Sequence, residues 1–297
     1  MTGIRMNLSH GPLSAHKDWL DMIHAVGIPQ LLIDLQGPEL RIGTLTQPLV
    51  LEPGQSLRLG QGGVPCPAAL VQAARPGQNL LLDDGRLLVQ VAGADGAALQ
   101  CTVVRGGTLQ SRKSLAAPGL TVASPTLTEE DLQNLQLAGA CGVTGVMLPF
   151  VRGAEDIRTL RRALEQAGAG QIRIFAKIEN MTGLHRLDEI LPLADVVVIA
   201  RGDLGNAMPL WELPRAQTLI ARKCRAAKRP FMVSTQMLHS MHHAAVPTRA
   251  EVTDVYQAAR SGADYLLLTG ETAVGEYPVE AMTYFAKIAA NGWADAE

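Results

Sequence analysis

Two short runs could do chemistry together: Ala176-Lys177-Ile178-Glu179-Asn180 and Ala200-Arg201-Gly202-Asp203-Leu204-Gly205, each at the carboxyl end of an apolar stretch. Side chains alternate along a strand, so Lys177 and Glu179 project to one side, and Asp203 leaves the following strand at a corresponding height. One ammonium and two carboxylates suit a hard divalent cation beside a phosphoryl group, because Mg²⁺ takes one or two carboxylates plus substrate oxygens and lysine supplies a compact positive charge. The competing reading of either run alone is a buried ion pair, since strand-end charges are often structural. Two such runs in succession favour the metal and phosphate reading.

The elements that must position these groups are aliphatic. Of 297 residues 47% are hydrophobic but only 4% aromatic, and 18% are charged with a net charge of −2. That composition predicts a soluble globular chain with no nucleic-acid partner. The four cysteines, Cys66, Cys101, Cys141 and Cys224, have no metal-binding spacing and predict a reducing, cytoplasmic setting. No membrane partner is expected, since no apolar run reaches the roughly 18 residues of a span and the first residues lack a signal peptide's charged and apolar regions.

Short apolar runs at 4–7, 30–34, 145–149, 173–178, 196–200, 231–235 and 265–269 read as strands buried on both faces. Helical patterns over 14–26, 128–138, 155–167, 183–190, 213–227 and 249–261 lie between them, and Thr128 and Thr248 sit at helix starts, the latter with Glu251 at capping-box spacing. Alternating strands and helices predict a parallel sheet, and polar residues just after each strand place an active site at the carboxyl ends of a TIM-type (β/α)8 barrel. The stretch 39–118 breaks the alternation with Gly, Pro, short alternating runs and an Asp84-Gly85 turn. It reads as a small all-β cap domain inserted between barrel parts 1–38 and 119–297, suited to closing over a site.

Seven runs carry a resemblance: Arg5-Met6-Asn7-Leu8-Ser9-His10-Gly11, Asp34-Leu35-Gln36-Gly37-Pro38-Glu39-Leu40-Arg41, Lys177-Ile178-Glu179-Asn180, Ala200-Arg201-Gly202-Asp203-Leu204-Gly205, Ser234-Thr235-Gln236-Met237, Pro247-Thr248-Arg249-Ala250-Glu251 and Gly270-Glu271-Thr272-Ala273. In this order they resemble the motifs of the pyruvate kinase family over nearly the whole chain, with the insertion as that family's mobile B domain. The resemblance implies Mg²⁺ (or Mn²⁺)-dependent, glycolytic phosphoryl transfer between phosphoenolpyruvate and ADP, giving pyruvate and ATP. It makes Lys177, Thr235, Thr269 and Arg5 catalytic, and lets Gly202, Asp203, Thr235, Arg5 and Lys177 bind the substrate. Glu179 and Asp203 become Mg²⁺ ligands; Asn7, Ser9 and Asp34 become K⁺ ligands; His10, Arg41 and Lys113 face the nucleotide. The alternation of Arg5, Asn7 and Ser9 would put all three on one side of a strand end, where a strand-end cap is the rival reading. Arg249 and Glu251 are expected to form a supporting ion pair.

Departures from the family pattern sharpen other expectations. Leu35 and Pro149 stand where the family has Thr and Ser near the monovalent cation, Gln36 where it has Lys, Thr269 where it has Ser and Ala123 where it has Asp. Loss of two side-chain oxygens weakens the expected K⁺ site. The family's first barrel strand and its C-terminal domain have no counterpart, which predicts a seven-strand barrel lacking its first β/α unit, no sugar-phosphate control, and a further element or a homo-oligomer covering the gap. Two alternatives to the kinase remain: a metal-dependent lyase or decarboxylase acting through a pyruvate enolate without nucleotide, and a non-catalytic binding or regulatory homologue.

Overall fold

The computed structural model describes residues 1–120 and 124–296. The chain divides into two compact units, one formed by Met1–Gly37, Thr126–Leu204 and Trp211–Glu297, the other by Pro38–Pro125 with Gly205–Leu210.

The first unit is built on seven parallel strands: β1 (Ile4–Asn7), β2 (Leu31–Asp34), β3 (Gly145–Leu148), β4 (Arg173–Ile178), β5 (Val196–Ala200), β6 (Phe231–Ser234) and β7 (Tyr265–Leu267). They pair in chain order, β1 and β7 being the outer strands of the sheet. With helices between successive strands this is a barrel-type α/β fold. The expected runs are these strands, shortened at 30, 149, 235 and 268–269. One buried cluster fills the inner face: Leu32, Met147, Phe175, Val196, Val198, Ala200 and Met232, with Tyr265 and Leu267 packed against it. Gly145 belongs to this layer because a Cβ there would stand 2.6 Å from both Leu32 Cδ2 and Phe175 Cε2. Along β4 and just beyond it, Phe175, Lys177 and Glu179 share a face, so the strand that fills the core below carries its charged pair above.

Helices Glu129–Ala138 and Arg249–Arg260 start at Thr128 and Thr248, and both have full capping boxes, closed by Asp131 and Glu251. The helix expected over 183–190 is two short ones, Met181–His185 and Leu187–Ile190. The segment 14–26 opens as a 3-10 turn, Leu13–His16, before the helix Lys17–Val26. Helix Pro278–Ala294 has no counterpart in the expected set. Gly292 lets it approach the helix Arg249–Arg260, where a Cβ would meet Ala259 Cβ and Tyr256 O at 2.6 Å.

The second unit has its own core. Ser56–Gly60, Ala98–Arg105, Leu87–Ala94, Asn79–Leu82 and Leu115–Ala116 form a five-stranded antiparallel sheet in that spatial order, and Leu49–Leu51 pairs with Gly107–Leu109. Alternate residues such as Leu87, Val89 and Val91 point into a buried cluster with Leu57, Leu59, Leu70, Leu80 and Leu82. One six-residue helix, Ala68–Ala73, lies within it. Among the described residues no helix is long and apolar enough to cross a membrane, and all four cysteines are free.

Candidate functional site

Lys177 is the hub of a charged cluster above the barrel core. Its Nζ lies 2.9 Å from Glu179 Oε1 and 3.2 and 3.3 Å from the two oxygens of Asp34, and Arg5 Nη1 reaches Asp34 Oδ2 at 3.3 Å. Strand register explains the meeting of β1 and β2: Arg5 pairs with Leu32 and Asn7 with Asp34, so these side chains share the inner face. Burial opposes the Lys177 ammonium, but Asp34, Glu179 and Asp203 outweigh it and hold its pKa above the usual lysine value. Burial lifts Glu179 to about 7, Asp203 and Asp34 push the same way, and Lys177 and a backbone amide oppose them. Lys177, Glu179 and Asp203 therefore act on one another as a single electrostatic unit, and the ion-pair reading and the site reading describe the same groups.

The amide holding Glu179 was not legible in advance. Phe150, just past β3, has φ +53°, and its N–H donates to Glu179 Oε2 at 2.8 Å. Asn180 caps the following short helix through Gly183 N–H at 2.8 Å, and its amide donates to Val151 O at 3.2 Å, so both neighbours of the strand end are tied to the loop after β3.

Thr235 follows β6 with φ +70°, and Gln236 follows with φ +53°. Gly202 N–H donates to Thr235 Oγ1 at 2.8 Å, so the donor expected for a substrate carboxylate is engaged inside the protein. Gly202 and Asp203 lie in the short helix Arg201–Asn206 directly after β5. Thr269 follows β7; its N–H and hydroxyl both donate to Glu271 Oε2, at 2.8 and 3.3 Å, while Glu271 Oε1 accepts from Leu238 N–H. The Glu251 carboxylate accepts from Ser240 and Thr248 and closes a helix cap; this corrects the expected pair with Arg249.

On the monovalent-cation side the geometry differs from the sequence expectation. Strand β1 ends at Asn7, and Ser9 and His10 lie in a 3-10 turn, so the three-residue alternation is broken. Asn7 Oδ1 accepts from Ser9 N–H at 3.1 Å, which is the cap reading. Leu35 is buried with its N–H on Met147 O, and Pro149 fills the space over Gly37, whose φ is +59° and whose Cβ would lie 2.5 Å from Pro149 Cγ. Asp34 carries two cations and neither Leu35 nor Pro149 brings a side-chain oxygen, so the oxygen donors left for a K⁺ are Asn7, Ser9 and Asp34. His10 is exposed, and Ala123 lies outside the described residues.

Arg41 and Lys113 belong to the second unit. Arg41 donates to Glu39 Oε2 and to Arg112 O, both at 2.8 Å, and Lys113 Nζ pairs with Asp83 Oδ1 at 2.8 Å. Each cation is thus held in a defined pose by its own domain.

No group of three or more metal-ligating side chains is gathered among the described residues. Mg²⁺ does not need one, since two carboxylates with substrate oxygens and water complete its shell. Glu179 and Asp203, next to an ammonium that stays charged, fit that demand.

A profile of the barrel domain of pyruvate kinase matches residues 1–282. The chain is similar to a pyruvate kinase of Aeropyrum pernix, 38% identical over 97% of this chain and 65% of the relative. It is also similar to one of Mycobacterium intracellulare, 35% identical over 96% and 63%. A third relative, plastidial pyruvate kinase 2 of Arabidopsis thaliana, is 34% identical over 95% and 51%. The chain therefore spans between half and two thirds of the length of these relatives. A profile match along almost the whole chain and a charged cluster at the ends of parallel strands agree with the ordered motifs, and the chain belongs to the pyruvate kinase family.

Proposed function

We propose that this chain transfers a phosphoryl group between phosphoenolpyruvate and ADP, with Mg²⁺ or Mn²⁺ held by Glu179 and Asp203. The observation that carries the reading is Lys177: an ammonium kept charged by Asp34 and Glu179 on the inner face, beside the two carboxylates. In the forward direction a terminal oxygen of ADP attacks phosphorus, the bond from phosphorus to the enol oxygen breaks, and its electron pair stays on that oxygen as an enolate. The methylene carbon then takes up a proton to give pyruvate. A divalent ion held by Glu179 and Asp203 would supply neutralisation of the negative charge that develops in the transfer. Lys177 stabilises the negative charge on the transferring group, and Arg5, anchored on Asp34, presents further guanidinium donors. Thr235 accepts from Gly202 N–H, leaving its own hydroxyl hydrogen to serve the methylene carbon side. Thr269, oriented by Glu271, is assigned to the same proton path. The nucleotide roles of His10, Arg41 and Lys113 rest on the resemblance alone.

The test is pyruvate formation from phosphoenolpyruvate and ADP with Mg²⁺ or Mn²⁺, with and without K⁺, beside Lys177→Met. Activity abolished in the variant supports the reading. Phosphoenolpyruvate and metal binding without pyruvate under any ion condition overturns it and points to the enolate lyase or to a binding protein.

A further inference from the structure

Arg201 stands next to Gly202 and Asp203 but has no part in the chemistry described so far, and its guanidinium is buried. Its partners are unusual. Nε and Nη2 both donate to Thr235 O, at 3.2 and 2.9 Å, and Nη2 also donates to Gln236 O at 3.2 Å. Nη1 is fixed by Asp254 Oδ1 at 2.7 Å, from the helix Arg249–Arg260. The two carbonyls it grips belong to the consecutive left-handed residues Thr235 and Gln236. A β-branched residue at positive φ is a genuine outlier that persists only where its surroundings over-determine it. Arg201 supplies that determination from one side and the next residue supplies it from the other, through Gly202 N–H on Thr235 Oγ1.

We propose that Arg201 is a positioning residue for Thr235: its fork holds the strained turn after β6 so that the Thr235 hydroxyl is aimed at the substrate's methylene carbon, and Asp254 orients the fork. This rests on the proposed kinase reading. Lysine cannot replace the fork, because one ammonium does not span two carbonyls and a carboxylate with planar geometry. The proton-handling half of the reaction therefore depends on Arg201, while metal and phosphate binding by Lys177, Glu179 and Asp203 does not.

The experiment compares wild type, Arg201→Lys, Thr235→Ala and the double variant. Two rates are read: pyruvate formation, and exchange of pyruvate methyl hydrogens with deuterium from solvent followed by NMR. Arg201→Lys should lower kcat and methyl exchange by about tenfold or more, in line with the penalty for a small misplacement of a reacting group. KM for phosphoenolpyruvate and the half-saturating Mg²⁺ should move by less than about threefold, and the loss should vanish in the Thr235→Ala background, because residues acting through one another are not additive. Equal losses with and without Thr235, unchanged exchange, or a loss confined to metal affinity would overturn the proposal. If Arg201→Lys does not fold, Asp254→Asn, on a part-exposed side chain away from the cluster, should show the same pattern at smaller size; no effect of it on exchange also overturns the proposal. A wild-type protein that makes no pyruvate refutes the kinase reading itself, an outcome separate from any of these.

Discussion

Glycine at 202 is not demanded by the protein around it. A Cβ there would rest 3.6 Å from Thr235 Oγ1, an ordinary contact, and the residue lies in a helical turn. Gly202→Ala should therefore leave stability equal or higher by up to about 1 kcal/mol, the usual gain from removing a helical glycine. If Gly202 lies against the substrate, as the proposed function has it, pyruvate formation should nonetheless fall, because the added methyl stands beside the Thr235 hydroxyl; thermal melts and KM for phosphoenolpyruvate check the two halves. Asp34 leads to a second expectation. With Arg5 and Lys177 both on its carboxylate and no side-chain oxygen at Leu35 or Pro149, replacing K⁺ by a bulky organic cation should change kcat by less than about threefold, or ~0.6 kcal/mol. The charged trio was legible in the sequence because strand alternation alone puts Lys177 and Glu179 together. Phe150 and Arg201 were not: a backbone amide in a left-handed turn leaves no residue-type signal, and Arg201 acts on a carbonyl 34 positions away.

Strands were easier to read than helices, for a physical reason visible in two elements. The run that became β5 is an uninterrupted aliphatic segment and β4 is apolar at four of its six positions, whereas Pro278–Ala294 carries only a thin polar stripe, Glu280, Thr283, Lys287 and Asn291, among alanines and large apolar residues, a weak helical signal. Gly145 tests the packing of this layer: Gly145→Ala should lose about 1–3 kcal/mol, since its methyl must displace Leu32 and Phe175, and the denaturant midpoint measures it. At the start of helix Ala154–Gln166, burial raises the Asp156 pKa, but hydrogen bonds from Arg152 and Thr126 overcome it and hold the carboxyl below its usual value. A depressed carboxyl contributes stability above its unfolded pKa and loses it as pH falls through the folded value. Asp156→Asn should thus lose about 1–2 kcal/mol at neutral pH, and its Tm should converge on that of wild type below about pH 4.

The chain divides into two compact units, each with buried apolar clusters of its own, so unfolding should show more than one transition by calorimetry. Among the described residues of the parallel sheet, β1 and β7 each pair on one side only, and their amides should exchange hydrogen faster than those of β4 and β5. Fold class followed from the alternation of elements and the insertion from its break. How the barrel survives such an interruption did not, and Asp131 supplies the answer. Its buried carboxylate accepts from the N–H groups of Gln36 and Gly37, where the chain leaves the barrel, and from Thr128 N–H, just after its return. The two cut ends are thus spliced by one side chain, whatever is looped out between them. Loop-closure entropy grows only slowly with length once such ends are tied. A chain in which a short Gly-Ser linker replaces 38–125 should therefore keep the barrel's circular dichroism and melt cooperatively, and the same deletion with Asp131→Ala should not.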